Sequence, residues 1–238
     1  MSVAAVLESS PEQSERLFFF SMSLVIAATV AVGFGMFLLA GISSFGAPWW
    51  VHVHAVTFVA WIGFYVGQNT LIYRDSIALH RRLGRIGAVF AIWMVVVGLV
   101  LTPLTLAVGR SPPFFTPPYF LALDWVNILV FGALVYAAIH NRKRTDWHRR
   151  LMLCATVCVI APAIGRLIVL SGTQMTAVNN VGILLIYIVV AMLADWRIRG
   201  KVHAAYFWGV GALVVMGVLI ESLAVFPPFV ALAETIVG

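Results

Sequence analysis

Seven apolar runs of membrane-spanning length, each stopped by charged residues or by proline and glycine, constrain this chain more than any other feature. They cover residues 17–42, 50–73, 83–108, 118–140, 150–171, 177–195 and 204–226. A helix needs about 20 apolar residues to cross the hydrocarbon core, so the pattern predicts an all-α, polytopic membrane protein with seven transmembrane helices. Composition agrees: 62% of the 238 residues are hydrophobic and 10% charged, against about 45–50% and about 25% in soluble domains. The spans use up the chain and leave no room for a second globular domain. The expected layout is a cytoplasmic N-terminal segment over 1–16, a seven-helix domain over 17–226 and a short outer tail over 227–238. The stretch before the first run carries Glu8, Glu12 and Glu15 and no basic n-region, so that run reads as a true span. Ser10-Pro11-Glu12-Gln13 reads as a capping box with proline at the first helical position.

Basic residues set the expected orientation, because loops rich in Lys and Arg stay cytoplasmic. Arg16 precedes the first span. Arg74, Arg81, Arg82 and Arg85 lie at the second connection, Arg142, Lys143, Arg144, Arg149 and Arg150 at the fourth, and Arg197, Arg199 and Lys201 at the sixth. That is thirteen of the fifteen Lys and Arg residues on one side. The N-terminus is therefore expected in the cytoplasm and the C-terminus outside. The net charge of +6 follows from these membrane-edge anchors and implies no nucleic-acid partner; the partner it does imply is the lipid bilayer.

Ionisable groups inside a span cost about 2.5–3.5 kcal/mol on insertion scales, so each needs a partner or a purpose. His54, Asp124, Arg166 and Glu221 all fall near one depth in the outer half, so one polar cluster can collect them. Two readings stand: a structural ion pair of Arg166 with Asp124 or Glu221, or a ligand or proton site opening outward. A second group lies at the cytoplasmic side, where His80-Arg81-Arg82-Leu83 opens span three and His148-Arg149-Arg150-Leu151 opens span five. His80, Gly84, Gly87, Ala91, Met94 and Gly98 share one helical face. Such a stripe serves a close helix–helix contact. Alternatively, Gly84 and Gly87 let a flat macrocycle approach while His80 and His148 ligate its metal from two helices, as in a b-type haem, with Arg81 and Arg149 placed for the propionates.

The order His54, Gly67-Gln68, Leu79-His80-Arg81-Arg82-Leu83-Gly84-Arg85, His148-Arg149-Arg150-Leu151-Met152 and Arg166 resembles an uncharacterised bacterial multi-pass membrane-protein family, a domain of unknown function. That resemblance implies a helical bundle in the bacterial inner membrane. Leu79 to Gly84 is also similar to the His-x-x-Leu-Gly segment of transmembrane b-type cytochromes, which implies a haem-ligating role for His80.

Three functions follow as expectations. The first is a b-haem-binding or redox-associated component of electron transport, accessory to a larger respiratory membrane complex. The second is a small-solute or proton-coupled transporter using the outer polar cluster. The third is a non-catalytic membrane scaffold subunit. No metal-hydrolase, nucleophile-elbow or phosphate-loop motif is present, so the sequence leans away from an enzyme.

Overall fold

The structure, a computed structural model, describes residues 10–43 and 45–238, so most of the expected N-terminal segment, residues 1–9, lies outside it. The described residues form nine helices: α1 (Pro11–Leu39), α2 (Trp49–Tyr73), α3 (Ile77–Ala107), α4 (Pro117–His140), α5 (Thr145–Val159), α6 (Ala161–Leu170), α7 (Ala177–Arg199), α8 (Ala205–Val225) and α9 (Pro227–Val237). α1, α2, α3, α4, α7 and α8 are each long and apolar enough to cross a membrane. Their outward faces carry Val25, Val32, Val59, Val89, Ile92, Val189 and Val218, all exposed, a surface that suits lipid rather than water. The chain is a helical, multi-pass membrane protein.

Helix ends follow local chemistry. At the start of α1 the Gln13 N–H donates to the Ser10 hydroxyl at 3.3 Å, and the Ser10 N–H donates to the Gln13 side chain at 3.3 Å, which is the expected capping box. Residues 150–171, expected as one span, are two helices, α5 and α6, bent by 41°. The cause is Pro162, which has no N–H for the Cys158 carbonyl four residues back. Asn127 Nδ2 on α4 donates to that carbonyl at 3.0 Å, and Asn180 Nδ2 on α7 donates to the Ala161 carbonyl at 2.9 Å.

α4 is the central rod, packed on α3, α5, α8 and α9. α1 reaches α6 through Gly33, where a Cβ would stand 2.6 Å from the Ala163 carbonyl oxygen, so glycine sets that approach. One terminal segment differs from expectation. Residues 227–238, expected as a tail, form α9, with Ala233 buried against Leu106 and Leu121 and Phe229 meeting the Trp125 ring at 6.3 Å. The proline-rich connection before α4 turns compactly, with the Phe115 N–H on the Pro112 carbonyl at 3.1 Å and the Phe115 ring stacked on Tyr119 at 5.4 Å.

Candidate functional site

The arginine-rich connections come together at one end of the bundle, its basic end. Its centre is Arg150 on α5, 1% exposed. Arg150 Nε donates to Asp195 Oδ2 at 2.9 Å, Nη2 to Glu15 Oε1 at 2.7 Å and to Asp195 Oδ1 at 2.5 Å, and Nη1 to the Asp146 carbonyl at 2.9 Å. Glu15, itself 1% exposed, also pairs with Arg149 at 2.9 Å and with Arg199. The network continues into the α7–α8 connection, where the His203 N–H donates to Asp195 Oδ2 at 3.1 Å. The Ala205 N–H donates to His203 Nδ1 at 3.1 Å, so the ring proton sits on Nε2 and points at Asp146 Oδ2, 3.0 Å away. This web ties α1, α5, α7 and α8 together. It also corrects one expectation: Arg149 is spoken for by Glu15 and is not free for a propionate.

Beside the web, the first turns of α3 and α5 bring His80 and His148 together, with ring centres 6.4 Å apart and planes at 74°. His148 Nδ1 faces the Ala138 carbonyl at 2.8 Å. A carbonyl can only accept, so Nδ1 carries the proton and the Nε2 lone pair is left for a ligand. His80 Nδ1 is buried without a hydrogen-bond partner among the described residues, and the Gln68 backbone lies beside this ring.

These residues fit a haem in part. Metal–nitrogen bonds of about 2.0–2.1 Å, with about 1.1 Å from nitrogen to ring centre, separate two imidazoles on one metal by about 6.3 Å, close to the spacing found. A Cβ on Gly84 would meet nothing within 4 Å, which leaves that part of α3 open to a flat group, and Arg81 beside it is exposed. Gly87 does not fit the expected wall. A Cβ there would lie 2.5 Å from the Phe64 ring, because Phe64 of α2 fills the space. The stripe beyond is ordinary close packing, with Gly98 against Ile128 of α4. Among the described residues no three His, Cys, Asp or Glu side chains are grouped to hold a metal ion, so His80 and His148 are a two-nitrogen set.

Of the expected outer cluster, three members gather and one does not. Arg166 on α6 lies over the Phe34 ring at 4.0 Å and donates Nη1 to the Pro162 carbonyl at 2.9 Å, while its Nε has no partner among the described residues. Asp124 and His54 lie within electrostatic reach of Arg166 without bonding to it. Asp124 instead accepts from the Thr102 hydroxyl at 3.0 Å, and His54 stacks on Phe58 at 4.4 Å. Glu221 accepts from the Ala177 N–H at 2.9 Å and so caps α7 at its positive end. No ion pair joins these four residues.

Comparison of the chain with protein-family models, with curated proteins and with solved structures finds no match.

Proposed function

We propose that the chain is a seven-span protein of the bacterial inner membrane that binds a b-type haem between His80 and His148 and serves as a redox-associated accessory of a larger membrane complex. In this reading α5 and α6 together make one bent span. The basic end faces the cytoplasm, the N-terminus lies inside and the C-terminus outside, as the distribution of Lys and Arg supports. The observation that carries the haem reading is the 6.4 Å separation of the two rings, on helices from different parts of the chain.

A haem bound there supplies one-electron transfer between ferric and ferrous iron. The chain's own residues do the rest. The Ala138 carbonyl holds the His148 tautomer and raises the basicity of its free nitrogen. Arg81 offers charge to a propionate at the edge. Phe64 closes the side toward the bundle interior and keeps the group near the surface. The test is a reduced-minus-oxidised visible spectrum of protein purified from haem-supplied cells. A haem band lost in both His80→Ala and His148→Ala is expected, and its absence in the unmutated protein overturns the reading.

A second reading, a small-solute or proton-coupled transporter, draws on one observation: a buried guanidinium, Arg166, beside Asp124 but not bonded to it. Uptake in proteoliposomes that is unchanged by Arg166→Ala removes that site from consideration.

A further inference from the structure

One face of α2 joins the two candidate sites. His54, Trp61, Tyr65 and Gln68 recur at intervals of seven, four and three, which places them in one line on a helix. That line faces the interior, since Trp61 is 1% and Tyr65 5% exposed. Three polar side-chain atoms on its inner stretch are orphaned: Trp61 Nε1, Tyr65 OH and Gln68 Oε1 are buried without a hydrogen-bond partner among the described residues. The opposing wall repeats this: Tyr206 OH on α8 is fully buried and likewise unpaired. Tyr206 lies within electrostatic reach of Tyr65. At the basic end the line meets His80 Nδ1, also unpaired.

Buried polar atoms are nearly always satisfied, and within a bilayer no bulk solvent can do it. Five such atoms, Trp61 Nε1, Tyr65 OH, Gln68 Oε1, Tyr206 OH and His80 Nδ1, call for a partner that the side chains do not provide. Asn69 lies beside the Tyr65 hydroxyl and the Gln68 backbone beside the His80 ring, so two of these atoms have further polar groups as neighbours, and a small polar partner such as water can serve both sides at once. Trp61, Tyr65 and Gln68 follow one another at about one helical turn, so they are neighbours along one face.

The line changes character past Trp61. Phe58 stacks on His54, and Arg166, held over Phe34 and Phe37, places a fixed positive charge within reach of His54. An arginine on a narrow polar route raises a barrier to protons.

We propose that the α2 face of Trp61, Tyr65 and Gln68 lines a file of ordered water that enters at the His80–His148 end, carries protons to mid-membrane, and is sealed toward the opposite end by Arg166. The file needs no haem and stands apart from the redox reading.

Pulsed X-ray hydroxyl-radical labelling of the full chain in detergent tests the water directly, because bound water generates the radical in place. Tyr65 and Trp61 are expected to be oxidised at a rate near that of the half-exposed Tyr73, and Tyr65→Phe with Gln68→Leu brings Trp61 down to the level of buried Phe131. Tyr65 and Trp61 as unreactive as Phe131 in the unmutated chain overturn the proposal. In proteoliposomes under an imposed potential, a pH-sensitive dye reads the seal. The unmutated chain is expected to hold protons, Arg166→Ala to leak, and Arg166→Ala combined with Tyr65→Phe and Gln68→Leu to hold again. A leak in the unmutated chain equal to that of Arg166→Ala, or a combined variant that leaks like the single one, also overturns it.

Discussion

Replacing Arg150 by methionine keeps the stem that packs in the basic end and deletes the charge at its centre. Asp195 then loses both oxygens' arginine contacts and keeps only the His203 N–H at 3.1 Å. Glu15 fares better, because Arg149 and Arg199 still hold it. Removing one partner of a buried pair costs about 3–5 kcal/mol, chiefly because the other charge is left buried. Here that charge is Asp195, 4% exposed. At about 2–4 °C per kcal/mol for a chain of this size, the midpoint of thermal unfolding should fall by about 6–20 °C. The companion variant Arg150→Met with Asp195→Asn removes both charges, and replacing a whole buried pair is often nearly neutral. It should recover more than half of the loss. Tryptophan fluorescence against temperature in a mild detergent measures all three proteins. A single variant within about 1 kcal/mol of the unmutated chain, or a double variant no better than the single, refutes the idea that an uncompensated Asp195 dominates.

Other expectations follow from single contacts. Gly33→Ala drives a Cβ into the Ala163 backbone and should cost about 1–3 kcal/mol, whereas Gly35→Ala, with nothing within 4 Å, should be neutral or gain up to about 1 kcal/mol from helix propensity; the same melting assay separates them. Asn127→Leu leaves the Cys158 carbonyl without its side-chain donor and should lower stability by about 1–3 kcal/mol. Thr176→Ala removes the oxygen that accepts from the Asn179 N–H at 3.1 Å, with a loss of about 0.5–2 kcal/mol. Gly84→Leu should leave the melting midpoint unchanged and abolish any haem band, since its side chain enters the open side of α3.

The apolar runs were legible because lipid imposes a length on them. α2, α4 and α8 begin and end within a residue of the boundaries that hydropathy predicts, and α3 starts six residues early because its first turns are basic and fall below any hydropathy threshold. The approach of His80 and His148 was legible from their similar depth. The buried web was not. Glu15 lies at the edge of the first apolar run and Asp195 closes the sixth, so both look like solvated stops, and Arg150 looks like one anchor among several. Their pairing depends on which way three separate helices turn. The one available signal was the excess of acid at helix ends otherwise reserved for bases. Depth alone also overestimated the outer cluster: Glu221 shares a level with Arg166 but finds the unsatisfied N–H of Ala177 first. The orphaned atoms of α2 are not legible in the sequence, because Trp, Tyr and Gln in a membrane helix serve equally as interfacial or packing residues and only the surrounding helices decide which.

The break between α5 and α6 bears on how any transition could travel through this molecule. Asn127 and Asn180 clasp the freed and neighbouring carbonyls from two other helices, so the elbow is latched on both sides rather than hung loose. His148 and Arg166 ride on opposite arms of it. A swing of one arm must release an amide from α4 or α7 before the other arm feels it, which makes the joint a threshold device that transmits large displacements and filters out small ones.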